Sequence, residues 1–468
     1  MEAKSLAVRE TTIPGLMLLD LPVHGDNRGW FKENWQREKM VALGLPDFGP
    51  VQNNISFNDK RGATRGIHAE PWDKYVSVAT GRIFGAWVDL REGPSFGTVF
   101  TAELDPSSAI FVPRGVGNAY QTLEDNTAYV YLVNDHWSAE SQGAYTFLNL
   151  ADETAAIDWP IPLEQAERSE KDLAHPRLAG VTPMPAKRTL VLGAGGQVGR
   201  ALRGALPQAD FADRARIDLG DETSLDRVRW GDYDTVINAA AYTAVDLAET
   251  AAGRTDCWDA NVTGLARLVS HVSRHRITLV HVSSDYVFDG TRPGPYTEQD
   301  RVAPLGVYGQ TKAAGDALVA TVPNHYIVRT SWVIGDGDNF VRTMARLAER
   351  GVDPSVVNDQ VGRLSFTKDI AAGIVHLLRQ RPEHGVYNLT SGGDAASWAD
   401  IARRVFAELG HDPDRIAGVS TAQYFAGKEA APRPANSVLA LDKLAATGFV
   451  PRAVETALSE YLVGVGKL

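Results

Sequence analysis

The chain has 468 residues, 44% of them hydrophobic and 22% charged, with a net charge of −11 at pH 7. That length exceeds what one hydrophobic core serves, so at least two domains are expected; the acidic balance argues against nucleic acid or an anionic membrane as partner. A single cysteine, Cys257, excludes an intramolecular disulfide framework and a multi-cysteine metal site.

The opening MEAKSLAVRE has no apolar signal-peptide run. Nowhere do about 18 consecutive apolar residues occur, so no membrane span is expected and a cytoplasmic location is. From residue 13 to about 150 the chain is a series of short alternating runs, among them GLMLLDL, GWFKENW, QNNISFN, KYVSVATGRIFGAWVDL and TAYVYLVND. Gly, Pro, Asp and Asn clusters separate them without an amphipathic helix between, which predicts an antiparallel sandwich or barrel. Residues 151–187 turn rich in proline and charge and read as a domain tail followed by a linker. From 188 onward, apolar runs (TLVLGA, DTVINAAA, ITLVHVSSDYVF, HYIVRTSWVIG) alternate with helical patterns such as VTGLARLVSHVSRH and TKAAGDALVATV. Runs apolar on both faces belong to buried parallel strands, and their alternation with helices predicts a doubly wound sheet. The resulting division is residues 1–174, a linker over 175–187, and 188–468.

Gly193, Gly196 and Gly199 fit G-x-x-G-x-x-G between a strand and a helix. Such glycines allow a tight turn and close backbone approach, so a pyrophosphate can rest on the helix N-terminus. Asp213 and Arg214 follow at the end of the second strand, where a ribose or its 2′-phosphate would lie; an acid beside a base leaves NADH and NADPH both open. Tyr308 and Lys312 in VYGQTK share one helix face. A nearby ammonium favours phenolate and lowers a tyrosine from its usual value of about 10, giving a proton donor for a carbonyl that receives hydride. Ser283 and Ser284 end a buried strand at the sheet's carboxyl edge, where ligands bind, and Ser284 can bond the same carbonyl oxygen. Together these residues indicate an extended short-chain dehydrogenase/reductase, an α/β Rossmann fold.

GAGGQVG, INAAAYTAVDLAE, SSDYVFDG, VYGQTKAAGD, VRTSWVIG, VVNDQVG and RPANSVL resemble dTDP-4-dehydrorhamnose reductases across nearly all of 188–468. The resemblance implies hydride transfer from NADPH or NADH to C4 of a 4-keto-6-deoxy sugar nucleotide. Tyr308 would be the acid, Lys312 its pKa and ribose partner, and Ser284 would stand where the family usually has threonine. Gly193, Gly196, Gln197 and Val198, with Asn238, Ala239 and Ala240, would hold the cofactor. Trp332, Asn358, Gln360 and Arg433 would face the sugar nucleotide. Arg200 stands where some members have a glutamate of a metal-bridged dimer contact, so neither that metal nor that dimer is carried over.

In the first half, HGDNRGWFKENW, NNISFNDKRGATRGIHAE, KYVSVATGRIFGAWVDLREGPSFGT, VPRGVGNAYQTL and YVYLVNDHW resemble, more distantly, dTDP-4-dehydrorhamnose 3,5-epimerases, which have a cupin jelly-roll fold. Epimerising both carbons flanking a ketone needs a base, an oxyanion stabiliser and an acid. The resemblance puts His68, Lys74 and Tyr131 in those roles, Glu170 as the acidic partner that orients His68, and Arg28 and Arg65 on phosphate. Asn118 replaces a usual histidine and Gly85 a frequent aspartate. His68 and Glu70 resemble the end of a cupin metal motif, but with Asn118 in place of the late ligand no metal is expected.

The two resemblances name consecutive steps: 3,5-epimerisation of a dTDP-4-keto-6-deoxy-hexose, then 4-reduction to dTDP-L-rhamnose. The competing readings are the same chemistry on a UDP-linked or different 4-keto-6-deoxy sugar with only the reductase half fully active, and a non-catalytic nucleotide-binding regulatory protein. A homo-oligomer through the N-terminal domain is expected from resemblance.

Overall fold

The computed structural model describes residues 4–465. The chain forms two compact units, Met1–Ala186 and Lys187–Leu468.

In the first unit the strands are β1 (Ala7–Glu10), β2 (Met17–Asp20), β3 (Val23–Asp26), β4 (Gly29–Lys32), β5 (Gln52–Asn58), β6 (Thr64–Ala69), β7 (Lys74–Thr80), β8 (Ile83–Asp89), β9 (Val99–Leu104), β10 (Ser108–Val112), β11 (Val116–Thr122), β12 (Thr127–Val133) and β13 (Thr146–Phe147). One sheet runs β1-β2-β10-β7-β12-β5 and a second β13-β6-β11-β8-β9, all neighbours antiparallel, while β3 and β4 pair as a separate hairpin. Alternation sends Val76, Val78 and Ile110 of the first sheet toward Trp87 and Tyr120 of the second in one buried cluster. A short helix, Arg37–Ala42, interrupts a stretch that reads as strands alone; its Met40 joins Tyr75 and Phe111 in a second cluster.

The stretch read as a linker packs with this unit. Leu178 and Met184 are buried beside Ile67, Val88 and Leu148, and Arg91 forms a backbone bridge with Met184. Proline and charge dominate its composition, yet two apolar side chains suffice to pin it, so the division falls between Ala186 and Lys187.

The second unit is built on β14 (Arg188–Leu192), β15 (Asp210–Ala212), β16 (Tyr233–Asn238), β17 (Thr278–Ser284), β18 (His325–Thr330) and an edge strand Gly385–Asn388. Their order is β15-β14-β16-β17-β18-edge, all parallel. The helices Gln197–Ala205 and Thr367–Gln380 bury Leu202, Ile370 and Ile374 on one face. Gly264–Arg274 and Val307–Val319 bury Leu265, Leu268 and Val319 on the other. The order reverses at β14, so the crevice beyond the carboxyl ends of β14 and β16 is where such a sheet accepts a ligand. Among the described residues no helix is long and apolar enough to cross a membrane.

Candidate active sites

A cavity of about 690 Å³ in the first unit is lined by Arg65, His68, Tyr131, Tyr145, Asp172 and His175, among others. His68 projects from β6, and its Nε2 lies 2.9 Å from Asp172 Oδ1. Burial pushes the Asp172 carboxyl up, but the hydrogen bond and charge of His68 outweigh it and hold the acid below its usual value. The residue expected to do this, Glu170, does not: it is exposed. Both belong to the short helix Glu170–Leu173, where two residues' separation turns their side chains about 200° apart, so only one can face the cavity. Ser169 caps this helix by accepting from the Asp172 amide at 3.1 Å, which fixes the face it presents.

Lys74 is buried at the start of β7, with Nζ 2.7 Å from Glu70 Oε1 and 5.6 Å from the centroid of the Tyr131 ring. The other Glu70 oxygen accepts from Trp72 Nε1 at 2.6 Å. Both carboxylate oxygens of Glu70 are therefore engaged. Burial, reinforced by the Glu70 charge, pushes the Tyr131 phenol up to about 12. That keeps it protonated at neutral pH, as a donor must be. Arg65 reaches Asn58 Oδ1 at 3.2 Å and lines the cavity. Arg28 is not brought there: it lies at the β3–β4 hairpin, exposed and ion-paired with Asp26.

His175 was not singled out by the sequence. Its ring stacks on Phe147 at 4.6 Å and meets His68 edge-on at 5.4 Å. Burial and the neighbouring His68 lower its pKa. His68, Asp172 and His175 offer ligand atoms within 4.8 Å of one another. The capping spacing Ser169-x-x-Asp172, three residues before His175, was the available signal.

One tryptophan accounts for two departures from the family pattern. A Cβ on Gly85 would stand 2.1 Å from the Trp87 ring, which is fully buried and occupies that space. Asn118 Oδ1 accepts from Trp87 Nε1 at 2.8 Å, and its Nδ2 donates to the Tyr129 hydroxyl at 2.9 Å.

In the second unit the glycine loop lies at the switch point. Gly193 follows β14 with φ +77°, and a Cβ there would lie 2.5 Å from the Ala240 amide nitrogen and 2.6 Å from the Ala239 carbonyl carbon. A Cβ on Gly199 would lie 2.2 Å from Gly193 O. These approaches bring Gly193 against Ala239 and Ala240, just past Asn238 at the end of β16, while Gly196 caps the helix that begins with Gln197 and Val198. Gln197 Oε1 is buried near Gly335 without a hydrogen-bond partner. Such a cradle fits a dinucleotide pyrophosphate. Arg200 donates to the carbonyls of Gly195 and Asp336, tying the loop to the chain beyond β18. Asp213 and Arg214 sit exposed just past β15, with Asp213 accepting from the Arg216 amide and Arg214 pairing with Asp218.

Ser284 ends β17 and donates to Asp285 Oδ1 at 3.0 Å. Burial pushes the Asp285 carboxyl up to about 6, with hydrogen bonds from Ser437 and Ser284 opposing. Tyr308, in the first turn of Val307–Val319, packs edge-on against Tyr286 at 5.5 Å. Burial pushes its phenol above its ordinary value, with a hydrogen bond to Ser284 opposing. The expected lowering by Lys312 is absent, because the lysine is turned elsewhere. Its Nζ donates to Val282 O at 2.7 Å and lies 3.1 Å from His281 Nε2. Burial lowers Lys312 to about 8, with Asp316 opposing.

Arg433 is paired with Asp246 at 2.8 Å, lies over the Phe425 ring and interacts with Tyr286, which places it beside the Tyr308 cluster. Trp332 stacks on Trp398 at 3.7 Å in a separate core cluster. Gln360 is buried and donates to Thr421 Oγ1, whereas Asn358 is exposed.

Comparison with known proteins divides the chain at the same place. The family model for the RmlD substrate binding domain matches residues 187–465, and that for dTDP-4-dehydrorhamnose 3,5-epimerase matches residues 10–180. A protein described as "Protein RmlC homolog" from Streptococcus pyogenes serotype M6 is 51% identical over 190 residues, covering 39% of this chain and 95% of its own. A dTDP-4-dehydrorhamnose reductase from Aggregatibacter actinomycetemcomitans is 37% identical over 276 residues, 55% of this chain and 92% of its own. The crystal structure of a dTDP-4-dehydrorhamnose reductase from Bacillus anthracis in complex with NADP is 30% identical with a TM-score of 0.55, covering 60% of this chain and 99% of that one.

Proposed function

Since the chain belongs to the RmlD substrate-binding-domain family through residues 187–465 and to the dTDP-4-dehydrorhamnose 3,5-epimerases through residues 10–180, we propose that it performs both reactions in sequence. It is a bifunctional enzyme of dTDP-L-rhamnose biosynthesis: an epimerase acting on dTDP-4-keto-6-deoxy-glucose, and an NAD(P)H-dependent reductase of the C4 ketone. The two units are read as a cupin-type jelly roll and a Rossmann fold of the extended short-chain dehydrogenase/reductase type.

In the first unit His68, oriented by Asp172, removes the proton α to the ketone. Lys74 steadies the enolate oxygen, Tyr131 returns a proton from the opposite face, and Arg65 takes the diphosphate. Repetition on the other side of the ketone completes the double epimerisation.

In the second unit a nicotinamide cofactor would supply the hydride when bound. The glycine loop and residues 238–240 would hold its pyrophosphate, and Asp213 and Arg214 would meet its adenosine ribose. Ser284 orients the C4 carbonyl and Tyr308 gives its proton to the oxygen as the carbon is reduced. Arg433, Gln360, Asn358 and Trp332 contact the sugar nucleotide; the best support among them is for Arg433, through Tyr286.

The observation that carries this reading is the His68–Asp172 pair inside a cavity of about 690 Å³, in the same chain as a Ser284–Tyr308 pair at the carboxyl end of β17 and a dinucleotide loop after β14. A purely nucleotide-binding role needs neither pair. A homo-oligomer through the first unit belongs to the proposal, supported by Ile55 and Phe57, exposed on edge strand β5 while Asn54, Ser56 and Asn58 alternate to the inner face. A cytoplasmic location belongs to it as well.

The test is the product. Full-length protein with dTDP-4-keto-6-deoxy-glucose and NADPH in D2O is expected to yield dTDP-L-rhamnose with deuterium at C3 and C5 and the cofactor's hydrogen at C4. A reduced sugar without solvent deuterium would remove the epimerase from the account.

A further inference from the structure

Two imidazoles and a carboxylate meet in the cavity of the first unit. His68 lies on β6, Asp172 on the short helix Glu170–Leu173, and His175 just beyond that helix. All three line the cavity, so an ion in solution can reach them. One ligand atom from each lies within 4.8 Å of the others, and no other such trio of His, Cys, Asp and Glu occurs among the described residues.

The spacing can be compared with a tetrahedral centre. With bonds of about 2.0–2.2 Å, ligand atoms around zinc stand about 3.4 Å apart, and the centroids of two bound imidazoles about 5 Å apart. Here His68 Nε2 and Asp172 Oδ1 are separated by 2.9 Å, and the two imidazole centroids by 5.4 Å. An ion between Nε2 and Oδ1 therefore needs only small side-chain rotations, with His175 closing the third side.

The surrounding contacts hold these ligands in place. Phe147 stacks on His175 at 4.6 Å, and Ser169 fixes the face that carries Asp172. Asn149, itself buried, donates through Nδ2 to the carbonyls of Leu173 at 2.8 Å and His175 at 3.1 Å, which pins the turn bearing the histidine. The His175 ring meets the Leu148 backbone, and its Nδ1 is buried without a hydrogen-bond partner. A buried polar atom left unpaired is uncommon, and a bound ion is one group that satisfies it. Glu70 does not belong to the set, because Lys74 and Trp72 engage its two oxygens at 2.7 and 2.6 Å. Two imidazole nitrogens with one carboxylate oxygen suit zinc-class ions, whereas magnesium and calcium take oxygen ligands.

We propose that His68, Asp172 and His175 bind one divalent ion of the zinc class, with water as fourth ligand, and that the filled site switches the epimerase off. A carboxylate only accepts, so in the metal-free chain His68 carries its proton on Nε2, toward Asp172, and presents a bare Nδ1 as the base. An ion bonded to Nε2 moves that one proton to Nδ1. The ring stays neutral, but the nitrogen that removes the proton α to the ketone has lost its free lone pair. The metal site stands on geometry alone; the switch rests on the epimerase reading.

The test uses untagged full-length protein, with Co2+ as an optical stand-in for zinc. One equivalent is expected to give the visible absorption of a four-coordinate site, displaced by Zn2+. His175→Phe keeps a ring against Phe147 and removes a ligand, so the band is expected to vanish. No band in the wild type, or an equal band in His175→Phe, would overturn the site. If His175→Phe does not fold, His175→Leu takes its place.

Zinc is then titrated against solvent deuterium uptake at C3 and C5 of dTDP-4-keto-6-deoxy-glucose, each chain compared with its own metal-free rate. Wild-type uptake should fall about a hundredfold or more at saturation and return with EDTA. Removing even a hydrogen-bond partner of a metal ligand weakens binding about 10–100-fold, so the His175 variant should need about tenfold more zinc or higher. A His175-dependent Co2+ band with uptake indifferent to zinc would overturn the switch. No uptake in the metal-free wild type would count against the epimerase reading, and the Co2+ band would still decide the site.

Discussion

His68 and Asp172 stand 104 positions apart in the chain, yet Nε2 of one lies 2.9 Å from Oδ1 of the other. A strand of the second sheet and a one-turn helix from the tail of the same unit are needed to bring them together. A base whose ring orientation is set by a buried carboxylate depends on that carboxylate for its tautomer.

Asp172→Asn is therefore expected to slow epimerisation by about a hundredfold or more, measured as solvent deuterium uptake at C3 and C5. Glu170→Gln should leave it within about twofold, the ordinary outcome for an exposed side chain remote from the chemistry. Equal losses in both variants would refute the assignment.

The same pair predicts a pH dependence. Asp172 has its folded pKa below the unfolded value, so its contribution to stability is present above the unfolded carboxylate pKa of about 3.9 and is lost as pH falls through the lowered folded value. Acid should thus narrow the stability gap between the wild type and Asp172→Asn, read from the denaturation of the first unit. A gap constant with pH would show that the carboxylate is not held in its charged form.

Gly199→Ala tests the cofactor cradle. Its Cβ would fall 2.2 Å from a backbone oxygen, which cannot swing aside. The variant should destabilise the second unit by about 1–3 kcal/mol and weaken NADPH binding in a fluorescence titration. Unchanged affinity would place the cofactor elsewhere.

Gly85→Ala should destabilise the first unit by a comparable amount, about 1–3 kcal/mol, because its Cβ and the Trp87 ring claim one space. Adding Trp87→Ala should make the glycine substitution nearly neutral, seen as a coupling in a double-mutant cycle. Additive losses would mean that Trp87 is not what excludes a side chain at position 85.

Local spacing explains what could be read from the sequence. The glycine loop, Tyr308 with Lys312 and the Ser284 strand end are motifs only a few residues long, and the apolar runs of the second unit are the strands β14, β16, β17 and β18. What could not be read depends on contacts across the fold. Glu170 and Asp172 are indistinguishable until the cap at Ser169 fixes which face of their helix turns inward. Lys312 was expected beside Tyr308 from helical spacing; it is β17, through His281 and Val282, that draws it away. Residues 175–186 look like a linker by composition, and only the burial of Leu178 and Met184 attaches them to the first unit. Position 85 is closed by a tryptophan two residues on, a clash that strand alternation makes possible and composition does not reveal.

The most direct test of the central claim, that one chain carries two consecutive reactions, is NADPH absorbance on mixing the full-length protein with dTDP-4-keto-6-deoxy-glucose and no other enzyme. The account predicts sugar-dependent oxidation, lost in both His68→Ala and Tyr308→Phe, with added epimerase restoring the first variant but not the second. Oxidation that survives His68→Ala, or that never occurs even when an authentic epimerase is supplied, would contradict it.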